Sequence, residues 1–263
     1  MTSHAAHGEG AGLPNPQPAR QIGVFARVPR AGAVKTRLAW SIGPGQAAEL
    51  YAAFLGDTVE ICRRVCPHGT WLFVAPEDAP EDAPEGGSAT DPGAELDPSA
   101  PGPPSDFALP PERVRAQEGA DLGERMARAL ETMLAHGPAV VVGSDAPDLP
   151  EHFLEAAFES LVARDLVLGP TADGGYYLVG TRRPVGALFK GIAWSTPEVL
   201  GQTRAAAAAL GLSTALLPLW RDVDVAEDLA GLRERLSEAR ARGAAIPART
   251  ARLVLDSRPG SAP

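Results

Sequence analysis

Apolar positions along this chain alternate between two periods. Ile22-Gly23-Val24-Phe25-Ala26 is a short continuous apolar run that predicts a buried strand, and Ala47, Leu50, Tyr51, Phe54, Leu55, Thr58 and Cys62 then recur at helical spacing over 46–65. Thr70–Val74 and Val114–Ala116 predict two more strands, and Leu122, Met126, Ala129, Leu130, Met133 and Leu134 form one stripe of a helix. Ala139-Val140-Val141-Val142-Gly143 has the strongest strand character, being continuous, β-branched and followed by turn residues. A helix over 150–163 and strands over 165–169 and 176–179 follow. Ser195-Thr196-Pro197-Glu198 has the form of a capping box opening a helix to Leu210. Thr214–Leu217 predicts a last strand, and 227–241 a last amphipathic helix.

Strands that alternate with helices imply an α/β fold, three-layered and Rossmann-like, with a mainly parallel mixed sheet and ligands at the carboxyl ends of its strands. Residues 21–245 are expected to form one domain. Residues 1–20 and 246–263 lack strong periodicity and read as tails, and the Pro/Gly/Asp/Glu-rich stretch 76–111 reads as a surface insertion.

Composition narrows the chemistry. A net charge of −9 argues against general affinity for nucleic acid, whose phosphates need a basic surface. No apolar span is long enough to cross a bilayer, and the N-terminus has no signal-peptide pattern, so a cytoplasmic protein is expected. Cys62 and Cys66 share a helix face and read as small buried thiols rather than a metal or redox pair.

Three segments carry candidate chemistry. The first, Arg27-Val28-Pro29-Arg30-Ala31-Gly32-Ala33-Val34-Lys35-Thr36-Arg37-Leu38, sets four cations at the mouth of the sheet. In an acidic chain a diphosphate is their natural partner; the plainer reading is a solvated basic loop. It matches neither the Walker A nor the G-x-G-x-x-G pattern. The second is Gly143-Ser144-Asp145-Ala146-Pro147-Asp148, directly after the strongest strand, where Asp145 could hold Mg2+ or Mn2+ or could only shape an Asx-turn. Asp148 could be a turn or helix-entry residue. The third is the acidic run Asp222–Asp228, in which Asp224 and Glu227 could equally form a capping box. Between the last two lies Asp173-Gly174-Gly175-Tyr176-Tyr177, either a ligand-approach loop or a hairpin turn with core tyrosines.

The strings FARVPRAGAVKTRL, GADLGERM, GSDAPDLP, VLGPTADGGYYLVG, FKGIAWSTPEVL and DVDVAEDL, in this order, resemble a bacterial family of GT-A-type glycosyltransferases. That family is found with radical-SAM proteins and is sometimes labelled arsenosugar-biosynthesis glycosyltransferase. The resemblance covers about 22–75 and 112–232, with Arg27 where Lys is expected and Val225 where Thr is usual. It implies the nucleotide-diphospho-sugar transferase fold. It further implies that Arg27, Gly32, Lys35 and Arg37 grip phosphate, and that Asp145 and Asp224 bind Mg2+ or Mn2+. Asp173, Gly174, Gly175 and Tyr176 would line the sugar or acceptor side, and Trp194 would lie near the acceptor or pack in the core.

The implied activity is transfer of a sugar from a nucleotide-sugar to a small-molecule acceptor. The alternative is nucleotidyl transfer from an NTP to a phosphorylated small molecule. Phospholactate guanylyltransferases carry a Lys-Ser-Arg-Leu element similar to Lys35-Thr36-Arg37-Leu38. Against that alternative, Phe25-Ala26-Arg27-Val28-Pro29 is not the Gly-rich loop usual in nucleotidyltransferases. A non-catalytic nucleotide-binding protein is the third reading.

Overall fold

The computed structural model describes residues 19–76 and 109–256. Most of the expected N-terminal tail, nearly all of the expected 76–111 insertion and the end of the chain lie outside the described residues.

Seven strands form one sheet: β1 (Gln21–Ala26), β2 (Thr70–Val74), β3 (Val114–Ala116), β4 (Ala139–Gly143), β5 (Leu166–Pro170), β6 (Tyr176–Thr181) and β7 (Thr214–Leu216). Their spatial order is β3-β2-β1-β4-β6-β5-β7. Only β6 runs against its neighbours, pairing antiparallel with both β4 and β5; the other pairs are parallel. Among the described residues the α-helices are α1 (Thr36–Ile42), α2 (Pro44–Val65), α3 (Leu122–Leu134), α4 (Glu151–Ala163), α5 (Val199–Ala209), α6 (Ala226–Ala241) and α7 (Ala248–Leu255). The expected α/β class and mainly parallel mixed sheet are what the chain adopts.

Both faces of the sheet are covered, which is why β4 reads as an unbroken apolar run. Val140 and Val142 face a core built with α2 and α4 through Leu55, Val59, Phe153 and Leu154. Ala139 and Val141 face the opposite core with Met126, Leu130 and Met133 of α3 and Ala207 of α5. Cys62 and Cys66 are buried and unbridged in the first core, where burial pushes the Cys66 thiol up to about 12. They are packing residues.

Three local expectations are corrected. Thr36, Arg37 and Leu38, read as the end of a loop, instead open α1, which buries Leu38 completely. The expected capping box at Ser195 does not form. Ser195 has φ 61, Thr196 Oγ1 donates to the Ala193 carbonyl, and α5 begins only at Val199. The Leu200 N–H instead reaches the Gly174 carbonyl, so the segment is held against the 171–175 loop before the helix can start. Finally, the expected tail over 246–263 contains α7, whose Ala251 and Val254 are buried with Leu50 and Phe54 of α2 and Leu232 and Leu236 of α6. Asp57, buried in α2, accepts the Arg249 and Thr250 N–H groups at 3.1 and 2.7 Å and so caps α7 from a distant part of the chain.

Candidate functional site

The carboxyl ends of β1 and β4 are adjacent in the sheet, so the loops leaving them meet. Tyr51 of α2 joins them. Its hydroxyl accepts from the Arg27 N–H and shares a hydrogen bond with Ser144 Oγ, each at 2.9 Å. Burial first, then the Asp145 charge, raise this phenol to about 12, so it stays neutral. Asp145 follows Ser144, and its carbonyl accepts the Val223 N–H at 3.0 Å. Val223 is fully buried among α1, α2, α6 and α7. Its neighbour Asp222 lies within electrostatic reach of both Asp145 and Asp224.

Lys35 reaches this cluster from the basic loop. Its backbone is left-handed (φ 50, ψ 45), its side chain is 5% exposed, and its Nζ lies 2.5 Å from Asp145 Oδ1 and 2.7 Å from Asp224 Oδ1. Burial alone would lower the ammonium's pKa, but Asp145 and then Asp224 outweigh it and hold the group above its ordinary range. Arg37, half-exposed, reaches the other oxygen of Asp224 at 3.3 Å. The fold thus brings Lys35, Arg37, Asp145 and Asp224 together, with Asp145 and Asp224 meeting at the Lys35 ammonium. The helix-capping alternative for Asp224 is not adopted, because Asp228 Oδ2 accepts the N–H groups of Asp224 and Val225.

Two further charged residues belong here that sequence reasoning did not assign. Asp222 is raised to about 8 by burial and then by Asp145, Asp224 and Asp173, with Lys35 opposing. The acidic run 222–228 was its visible signal. Arg125 of α3 lies within electrostatic reach of Arg27; burial and then this like charge lower its pKa. Nothing near it in sequence marks this pairing.

The 171–177 loop borders the cluster but is largely occupied with itself. Asp173 Oδ1 accepts from Thr171 Oγ1 and the Gly175 N–H, forming the turn, while still acting electrostatically on Asp222. Gly174 has φ +93, and a Cβ there would come within 2.1 Å of the Pro197 carbonyl oxygen. The missing side chain therefore admits this chain's own backbone, not the close ligand approach expected for it. Gly32 is different: it has φ +81 with open space around it, on an exposed turn.

Tyr176 packs edge-on against Trp194, and Trp194 packs against Phe189 and lies close to Gly123. Both aromatic side chains thus belong to the wall between α3 and β6, where the Tyr176 hydroxyl faces Thr203 and Trp194 Nε1 is buried without a hydrogen-bond partner among the described residues. Asp148, expected at a turn or helix entry, instead accepts from Arg235 Nε at 2.6 Å and Trp220 Nε1 at 3.4 Å, tying α6 to the β4 loop.

Among the described residues, no three His, Cys, Asp or Glu side chains converge to cage a metal ion by themselves. The donors that do converge, Asp145 and Asp224, are hard oxygens already gathered around one cation. That suits Mg2+ or Mn2+, which take one or two carboxylates and complete their shells with phosphate oxygens and water.

A family profile described as "Uncharacterized protein conserved in bacteria (DUF2064)" matches residues 96–196. No curated protein matches the chain. Among solved structures, it is similar to a proposed nucleotide-diphospho-sugar transferase from Desulfovibrio desulfuricans G20, with 29% identity and a TM-score of 0.72. That match covers 91% of this chain and 98% of the other. A cytidylyltransferase from Leptospira borgpetersenii matches at 15% identity and a TM-score of 0.50, covering 84% and 87% of the two chains. A 4-diphosphocytidyl-2C-methyl-D-erythritol synthase from Anaerococcus prevotii matches at 9% identity and a TM-score of 0.50, covering 83% and 99%. The last two likenesses concern the fold alone. No described helix is long and apolar enough to cross a membrane.

Proposed function

We propose that this protein is a metal-dependent transferase that moves a sugar from a nucleotide-sugar to a small-molecule acceptor. The observation that carries this reading is the convergence of Lys35, Arg37, Asp145 and Asp224 at the carboxyl edge of the sheet, two cations and two carboxylates within ion-pair distance. Similarity to the proposed nucleotide-diphospho-sugar transferase supports it.

In this reading the acceptor hydroxyl attacks the anomeric carbon, the bond from that carbon to the diphosphate breaks, and the nucleoside diphosphate leaves with the electron pair. The hydroxyl proton passes to the departing phosphate or to water. Lys35 and Arg37 would bind the departing phosphate oxygens, where charge develops. Arg27 and the Gly32 turn complete the basic rim. Asp145 and Asp224 would hold Mg2+ or Mn2+, which supplies further neutralisation of the diphosphate. Tyr176 and Trp194 form the wall toward the acceptor side, and the Asp173–Gly175 turn shapes that border.

Nucleotidyl transfer is the second reading, favoured by the Lys35-Thr36-Arg37-Leu38 element. A thermal-shift panel of nucleotide-sugars, nucleoside diphosphates and nucleoside triphosphates, each with Mn2+, separates the two, since a ligand that binds only the folded state raises Tm. Stabilisation by nucleotide-sugars is expected. Stabilisation by triphosphates alone would transfer the assignment to nucleotidyl transfer, and no response to any of them would remove both.

A further inference from the structure

In this structure the position between Asp145 and Asp224 is taken by the chain's own ammonium group. A lysine kept only for phosphate would extend into water until its ligand arrived. Lys35 is instead 5% exposed and committed to two carboxylates. The loop delivering it is fixed at its far end: the Lys35 carbonyl accepts the Ala39 N–H at 2.8 Å, and Leu38 is fully buried. The left-handed backbone at Lys35, uncommon for a residue with a side chain, is part of the same delivery.

We propose that Lys35 is an internal counter-ion that competes with the divalent ion for Asp145 and Asp224, and that a diphosphate opens the site to metal by drawing the Lys35 ammonium onto its own oxygens. This rests on the reading of the cluster as a metal–diphosphate site. The ammonium and a divalent ion need the same carboxylate lone pairs, and two cations in so small a space repel each other. Lys35 carries its charge on a flexible four-carbon stem, so it can be re-aimed while residue 35 stays in place. Phosphate oxygens give its donors an equivalent partner. The bare protein then binds metal weakly. Metal and diphosphate raise each other's affinity by the same factor, because the coupling is reciprocal.

Arg37 provides the control. It is 52% exposed and pairs with the outer oxygen of Asp224, so its removal leaves the competing ammonium in place.

The test is calorimetric titration of the full chain with MnCl2 alone, in wild type, Lys35→Met and Arg37→Met. Lys35→Met should bind Mn2+ about tenfold tighter than wild type or better, about 1.4 kcal/mol, with Arg37→Met gaining clearly less because it releases one oxygen of one carboxylate. Equal or weaker binding by Lys35→Met would overturn the proposal, since Lys35 would then merely organise the carboxylates or serve phosphate alone. If Lys35→Met does not fold, the wild type carries the test through the 15N resonance of the Lys35 ammonium. Mg2+ with a nucleoside diphosphate should shift that signal at Mg2+ concentrations that leave it unmoved on their own. A signal that moves equally with Mg2+ alone, or with neither, overturns the proposal. Failure of the wider reading looks different, because nucleotide-sugars would then fail to bind wild type at all.

Discussion

The Val223 N–H donates to the Asp145 carbonyl at 3.0 Å, and this backbone bond joins the β4 loop to the acidic segment before α6. Val223 supplies the anchor, since its side chain is fully buried. Val223→Ala should therefore lower stability by about 1–3 kcal/mol, the usual range for a truncated core side chain. It should also weaken Mn2+-dependent nucleotide binding by loosening Asp222 and Asp224. Denaturant unfolding and calorimetry measure the two effects. Loss of stability with binding untouched would show that the carboxylates are placed by something other than this anchor.

Lys35→Ala and Arg37→Ala should each weaken nucleoside diphosphate binding with the fold intact, Lys35 more strongly because it is buried. A charge-assisted hydrogen bond to phosphate contributes about 1.5–3 kcal/mol, so losing one should cost roughly ten- to a hundredfold in Kd. Wild-type affinity in both variants, measured calorimetrically, would reduce the basic loop to a solvated surface.

Asp57 of α2 and α7 give a structural test. Removing the carboxylate orphans two N–H groups in the first turn of α7, so Asp57→Ala should cost about 1–2 kcal/mol, comparable to losing a helix cap. Amide hydrogen exchange should quicken in α7 before the sheet responds. Uniform acceleration across the sheet would show that α7 is not a separable element.

These residues also mark what the sequence made legible. The strands and long helices follow from apolar periodicity, and Lys35, Asp145 and Asp224 stand out as charges placed where parallel strands end. α7 did not stand out, because two turns are too short for a clear period and its cap comes from Asp57, far away in sequence. Arg125 beside Arg27 and Asp148 beside Arg235 are likewise products of the fold. The Asp173-Gly174-Gly175 turn was visible, but its close approach to Pro197 could not be, since nothing local says which backbone fills a glycine's empty side.

Asp165 links stability to pH at the far edge of the sheet. The backbone N–H and hydroxyl of Ser213, then Arg182 and Arg183, hold its carboxyl well below the usual carboxylate range. A depressed folded-state pKa contributes stability that is fully present above the unfolded value, about 3.9, and is lost as pH falls toward the folded one. Asp165→Asn should therefore melt below wild type at neutral pH, and the gap should narrow once the pH drops under about 4. A gap of constant size down to the most acid pH at which both proteins fold would mean that the carboxylate's charge is not the cause.

Asp145 and Asp224 are proposed to hold a divalent ion together with a diphosphate gripped by Lys35. The most direct test of this arrangement is a crystal grown with Mn2+ and a nucleoside diphosphate, with anomalous scattering collected at the manganese edge. An anomalous peak bonded to carboxylate oxygens of both Asp145 and Asp224 is expected, with the Lys35 ammonium moved onto the diphosphate. Diphosphate bound elsewhere, or Lys35 still bridging the two carboxylates with no peak between them, would contradict it.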